Sequence, residues 1–170
     1  MQIKDRLIVA LDVTEREKAL ELVEMLHDCC GMFKIGLEPF CIFGPAFVEE
    51  IQDRGGKVFL DAKFHDIPRT VAQAGRAAAR LGVEMFNVHI AGGSEMMKAV
   101  VEAVREETAG KKQAKILGVT VLTSLGADEL TRDLGIDEIS FRTGDFLGTR
   151  GQGVWAFRCC GLSQGDISDP

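Results

Sequence analysis

The chain has 170 residues, 46% of them hydrophobic and 27% charged, the composition of a globular domain with enough apolar side chains for a substantial core. Its formal net charge of -6 argues against a nucleic acid or an anionic membrane as partner, because those need a basic face to displace counterions; a small anionic substrate held by a local cationic cluster stays open. The five cysteines, Cys29, Cys30, Cys41, Cys159 and Cys160, follow no disulfide or zinc spacing and read as reduced thiols of a cytoplasmic protein, and the N-terminal stretch carries neither a signal peptide nor the run of about 18 apolar residues of a membrane span.

From Leu7 onward, short apolar runs alternate with longer stretches of helical apolar spacing, the rhythm of repeated βα units. A first strand is expected over 7–11, closed by Asp12, with a helix opening on a capping box at Thr14 and Glu17 and carrying Ala19, Leu22, Val23 and Leu26 on one face. A second strand over 32–37 leads to a helix over about 45–53 that Gly55 and Gly56 stop. The third strand, 57–64, precedes a helix that starts near Pro68, a residue suited to the first turn, and ends at Leu81 and Gly82. The fourth, 85–90, passes through Gly92, Gly93 and Ser94 into a long helix reaching Glu107. Residues 115–123 read as a fifth strand, and 127–134 as a last helix-like element ending at Gly135.

Strands that are apolar on both faces and joined by helical crossovers belong to a parallel sheet covered by helices, so the fold class is α/β. No Gly-x-Gly-x-x-Gly follows the first strand, which favours a (β/α)8 TIM barrel over an open dinucleotide-binding sheet. Such barrels take about 250 residues, so only about the first five βα units are expected here, in a partial barrel domain over 1–140. Residues 141–170 are Gly-rich without a sustained period and are set apart as an aberrant tail with no assigned secondary structure.

Asp12, Lys34, Asp61, Lys63 and His89 fall at or near the C-terminal ends of expected strands, the rim on which barrels build their sites. Asp61 and Lys63 are two apart, so strand alternation puts both on one face with Ala62 on the other; Asp66 lies three residues further on. Taken alone, Asp66 reads as the N-cap of the helix at Pro68, and Asp12 as a turn residue. Lys34 and Lys63 are harder to explain as structure, because a lysine ending a buried parallel strand loses water and is seldom left unpaired. His65 and His89 beside Asp61 raise a metal site, but without tight ligand spacing they read as structural or substrate-contacting residues.

The run Phe59-Leu-Asp61-Ala-Lys63-Phe-His65-Asp66-Ile67-Pro68-Arg-Thr70 closely resembles the active-site signature of orotidine 5′-monophosphate decarboxylases, Asp-x-Lys-Phe-x-Asp-Ile-x-x-Thr. Further matches follow in order: Ala10-Leu-Asp12, Lys34-Ile-Gly-Leu-Glu38, Asn87-Val-His89 and Val119-Thr-Val-Leu-Thr123-Ser124, so that the resemblance covers residues 7–136. Metal-dependent sugar-phosphate decarboxylases and hexulose-phosphate synthases share the bare Asp-x-Lys-x-x-Asp, but the Phe-His-Asp-Ile-Pro context favours the orotidylate branch. The resemblance implies conversion of orotidine 5′-monophosphate to uridine 5′-monophosphate in pyrimidine biosynthesis, with no cofactor and no metal, by a homodimer whose sites are shared across the interface. It implies that Lys63 stabilises the developing carbanion and delivers a proton, that Asp61 faces the substrate carboxylate, and that Lys34 and Asp66, the latter from the second subunit, hold the array. It assigns Asp12 and Thr70 to the ribose, Ile67 to the pyrimidine pocket, and Thr123 or Ser124 to the base edge.

The family's phosphate grip and lid, with an arginine and a glutamine from the last barrel units, are not identifiable after Ile136, so an inactive non-catalytic fragment stands as the alternative. Translated one nucleotide forward, Trp155 followed by an alanine codon forces a glycine, and the codons after it permit Gly-Leu-Ser-Gly-Val-Val-Ala-Ser-Pro-Arg-Glu-Ile, which resembles the family's sixth strand. A frameshift between Gly135 and Gly144 is therefore expected.

Overall fold

Side chains along a strand point alternately to opposite faces, and a parallel sheet flanked by helices buries one of those faces first. In the computed structural model, which describes residues 2–135 and 154–157, this divides the strands into a covered and a less covered side. The strands are β1 (Ile8–Ala10), β2 (Met32–Gly36), β3 (Val58–Phe64), β4 (Met85–His89), β5 (Lys115–Val119) and β6 (Val154–Phe157). They form one sheet in chain order with every neighbouring pair parallel, the winding of a barrel with no reversal of strand order. The crossovers carry α1 (Arg16–Leu26), then α2 (Leu37–Phe43) with α3 (Ala46–Asp53), then α4 (Pro68–Arg80) and α5 (Gly93–Glu107); α6 (Ala127–Arg132) follows β5.

Parallel register puts Phe33 beside Val58 and Ile35 beside Leu60, and Leu60 beside Phe86, so these side chains share the helix-facing side and all are buried. Val23, Phe47, Val48, Ile51, Val71, Met96 and Val100 close over them from the helices in one continuous core. Burying each large apolar side chain contributes about 1.5–3 kcal/mol before chain entropy is subtracted. On the opposite face Ala10, Lys34 and Phe59 share a level, as do Gly36 and Asp61. There Ile8 and Ala10 are exposed and Lys34 is half-buried. This is the face a barrel turns inward, and its upper end carries the polar residues.

Several local expectations are corrected. The capping box at Thr14 and Glu17 does not form: α1 begins at Arg16 with Glu15 as an N-cap whose side chain pairs with Lys18 and does not cap the helix, and the Arg16 guanidinium is tied to Glu50 of α3. The second strand stops at Gly36, and Leu37 opens α2, a seven-residue helix that the sequence reading omits. Two turns rich in apolar residues are too short to show a helical period. The fourth strand ends at His89, before a 3-10 turn over Ile90–Gly92. The fifth ends at Val119, and the segment after it turns back, with Leu125 N–H donating to the Leu122 carbonyl.

Within the stretch left without secondary structure, Val154–Phe157 pairs in parallel with β5, from Ile116 opposite Val154 to Val119 opposite Phe157. Four residues of backbone pairing carry no side-chain period that a sequence scan registers. The rest of the segment beyond Gly135, with the expected frameshift zone, lies outside the described residues. Among the described residues no helix is long and apolar enough to cross a membrane.

The helices α4 and α5 pack closely because Gly75 has no side chain: a Cβ there would lie 2.6 Å from Cγ2 of the fully buried Val100. Val100 is β-branched and stiff, so it cannot swing aside cheaply. Gly75→Val is therefore expected to lower stability by about 1–3 kcal/mol through overpacking. Urea unfolding followed by circular dichroism reads this as a lower midpoint, and an unchanged midpoint would contradict the close approach.

Candidate active site

The ends of β1, β2 and β3 open onto a cleft of about 510 Å3 lined by Asp12, Lys34, Asp61, Ala62, Lys63 and His89, with Val13, Thr14, residues 36–39 and Leu122 completing the wall. Its floor is an alternating chain of charges. Lys34 Nζ lies 3.1 Å from Asp12 Oδ1 and 3.6 Å from Asp61 Oδ2, and Lys63 Nζ donates to Asp61 Oδ1 at 2.6 Å. The side chain of Asp61 is only 16% exposed, against 66% for Asp12, so Asp61 is the member that has given up most of its water.

The strand that supplies Asp61 and Lys63 is irregular at that point. Leu60 pairs with Phe86 and Phe64 with Val88, so four residue steps on β3 oppose two on β4. Inside this bulge Lys63 has φ 50°, and among the described residues it is the one non-glycine residue with positive φ. A left-handed conformation in a residue with a Cβ costs about 1–3 kcal/mol and persists only when surrounding contacts enforce it. They do so through Asn87 of β4, whose Oδ1 accepts the Lys63 N–H at 2.7 Å and whose Nδ2 donates to Asp61 Oδ1 at 2.7 Å. Ala62, expected on the face opposite Asp61 and Lys63, packs against the helix-side core and also borders the cleft.

Burial pushes the Asp61 carboxyl up, but hydrogen bonds from Lys63 and Asn87, together with the Lys63 and Lys34 charges, outweigh it and hold the group below its ordinary value. Burial also acts on His89, lowering its value, and the neighbouring His65 and Lys63 charges lower it further. The two imidazole rings lie 5.2 Å apart, centroid to centroid. Among the described residues, no group of three or more His, Cys, Asp or Glu side chains is arranged to hold a metal.

The structure thus brings together Asp12, Lys34, Asp61 and Lys63. Asp66, Ile67 and Thr70 are exposed and stand outside the cleft lining. The expected N-cap role of Asp66 is not observed: Ile67 is the N-cap of α4, and the Asp66 carboxylate accepts the Ile67 N–H at 2.6 Å, one residue before the helix. Pro68 at the first helical position has no N–H to offer it. Thr123 and Ser124 are exposed in the turn just beyond Leu122, which itself reaches the cleft. Sequence reasoning left Asn87 out of the site. The available signal was an asparagine inside the apolar run Met85–His89, where an unpartnered amide would be costly.

A family model described as "Orotidine 5'-phosphate decarboxylase / HUMPS family" matches residues 5–159. A relative from Syntrophomonas wolfei named orotidine 5′-phosphate decarboxylase is 47% identical over 176 aligned residues, covering 100% of this chain and 70% of its own length. Another of the same name, from Moorella thermoacetica, is 52% identical over 139 residues, covering 81% and 55%. The crystal structure of orotidine 5′-phosphate decarboxylase from Lactobacillus acidophilus superposes with a TM-score of 0.73 at 34% identity, covering 82% of this chain and 64% of that one. The chain therefore spans 55% of the Moorella relative and 64% of the Lactobacillus structure, less than two thirds of each. Its parallel sheet is a portion of a TIM barrel.

Both shifted groups bind protons more weakly when folded. Stability supplied by His89 is present above its ordinary value of 6.5 and is lost as pH falls through the lower folded value; that supplied by Asp61 is present above 3.8 and is lost as pH falls through its own lower value. Acidification is expected to weaken the fold in two stages. His89→Gln should flatten the upper stage and Asp61→Asn the lower, read from urea midpoints measured across the acid range. An upper stage unaltered in His89→Gln would remove His89 as its source.

Proposed function

The chain belongs to the orotidine 5′-phosphate decarboxylase / HUMPS family, and from that premise we propose that its cleft serves the decarboxylation of orotidine 5′-monophosphate to uridine 5′-monophosphate in pyrimidine biosynthesis, without cofactor or metal. The observation that carries the reading is Asp61 held between the Lys63 and Lys34 ammonium groups at the mouth of the sheet. Loss of CO2 from C6 of orotidylate leaves a vinyl carbanion that no carbonyl or cofactor ring is placed to delocalise, so the barrier must fall by electrostatic stabilisation. Lys63 supplies a cation where that charge develops and then the proton that quenches it. Asp61 faces the substrate carboxylate in this scheme. Two like charges about 4 Å apart repel by about 4 kcal/mol at an effective dielectric near 20, a repulsion relieved as CO2 departs.

The remaining roles follow the same reading. Lys34 keeps Asp61 and Asp12 in register, and Asp12 contacts the ribose. In a homodimer, Asp66 and Thr70 complete the neighbouring subunit's array and ribose contacts, which accords with their standing outside this chain's own cleft. Exposed Ile67 covers the pyrimidine, and Thr123 or Ser124 meets the base edge.

The test is conversion of orotidylate to uridylate. Lys63→Ala is expected to lower kcat at least 10²- to 10³-fold, roughly the effect of deleting one preorganised electrostatic group, with the circular dichroism spectrum unchanged. Turnover that Lys63→Ala leaves intact, or bound orotidylate that is never decarboxylated, would sink the reading. EDTA is expected to leave the rate unchanged, whereas loss restored by Mg²⁺ would move the chain to the metal-dependent sugar-phosphate branch. Mixing Lys63→Ala with Asp66→Ala protein should restore part of the activity, because a hybrid dimer carries one site with both residues intact. No recovery despite measured subunit exchange would contradict a shared site.

A further inference from the structure

Asn87 is 2% exposed, and apart from Thr108 at the end of α5 it is the one buried polar residue among the described residues. Both ends of its amide are committed. The oxygen accepts the backbone N–H of Lys63, and the nitrogen donates to the same Asp61 oxygen that receives the Lys63 ammonium. An N–H requires an acceptor and a carboxylate requires a donor, so only one orientation of the amide satisfies both partners. A single planar group therefore ties the main chain of Lys63 to the side chain of Asp61.

That tie falls where the sheet gives no support. Residues 61–63 have no register partner on β4, and Lys63 departs there into the left-handed region. Without an acceptor for its N–H, the backbone at Lys63 has no reason to hold that conformation in preference to the extended one that strands favour. Relaxation would move the root of the Lys63 side chain, and with it the ammonium that meets Asp61 over the cleft.

We propose that Asn87 is a positioning residue for the decarboxylation: its amide holds Lys63 in the left-handed conformation and fixes the Asp61 carboxylate against the Lys63 ammonium. The catalytic consequence rests on the decarboxylase reading, while the holding of the two residues stands on the hydrogen bonds alone.

Asn87→Asp is nearly isosteric, keeps an acceptor for the Lys63 N–H and replaces the donor to Asp61 with a second carboxylate. Asn87→Leu removes both bonds, and Asn87→Ser serves where the leucine variant does not fold. Each folded variant is expected to lose about 100-fold in kcat, the scale of a misplacement of about 1 Å, with KM changed less than about threefold. In Asn87→Asp the acid limb of the kcat profile should also move to higher pH, because adjacent carboxylates share a proton. A merely structural role would lower the active fraction evenly and leave that limb in place.

A readout free of substrate separates this inference from the decarboxylase reading. By NMR, the Lys63 amide should exchange about tenfold faster in Asn87→Leu or Asn87→Ser, and the Asp61 carboxyl should titrate higher in Asn87→Asp. If the unsubstituted protein fails to convert orotidylate while both NMR changes appear, the decarboxylase reading falls and the holding role is supported. Wild-type kcat in a folded variant, or unaltered Lys63 exchange and Asp61 titration, would overturn the proposal.

Discussion

An ionised carboxylate persists at a half-buried strand end only if its neighbours replace the water it has lost, and the upper part of this structure is arranged around meeting that condition for Asp61. Lys63 and Asn87 each donate to one of its oxygens, and Lys34 stands 3.6 Å from the other. The three partners, two donors and one ion-paired ammonium, come from three consecutive strands, so the sheet must hold β2, β3 and β4 in fixed register for the carboxylate to be satisfied. The register in turn rests on the helix-side core, where Phe33, Ile35, Leu60 and Phe86 interlock. Charge satisfaction and core packing are thus one constraint seen from the two faces of the sheet.

The same arrangement explains why the strain at Lys63 can be tolerated. An unfavourable φ of about 1–3 kcal/mol is small against a core in which many large side chains are fully buried. Within the bulge, what decides the conformation is local: the one acceptor offered to the Lys63 N–H is the Asn87 oxygen. Strain is confined to the residue whose ammonium faces the cleft, and the regular pairing on either side, at Leu60 and at Phe64, is undisturbed.

The elements that the sequence makes legible are those with a period long enough to see. The helices after β1, β3 and β4 stand within a few residues of their expected bounds, because each repeats its apolar face over about three turns or more. The short α2 and the four-residue β6 carry no such repeat, and they emerge only from tertiary pairing. At the site, Asp12, Lys34, Asp61 and Lys63 were legible because charged residues at the ends of apolar runs are anomalous in a buried strand. Asn87 enters the sequence comparison only within the matching run Asn87-Val-His89 and receives no role there, since an asparagine is neutral and its role depends on a bulge in a different strand.

The arrangement of donors also constrains how an anion can be received. Asp12, Lys34, Asp61 and Lys63 sum to zero formal charge, so the cleft floor presents local dipoles instead of a net attraction. Oδ1 of Asp61 is already shared by Lys63 and Asn87, and that oxygen gains nothing from a further donor. An ammonium has three donors, and Asp61 takes one of those on Lys63, which leaves the others able to turn toward a ligand without breaking the existing bond. The carboxylate is thereby the fixed pole of the site and the lysine its adaptable one. On the proposed decarboxylation, the donors of Lys63 not taken by Asp61 would already face the developing charge while Asp61 stays fixed, so that little reorganisation is needed as the charge moves.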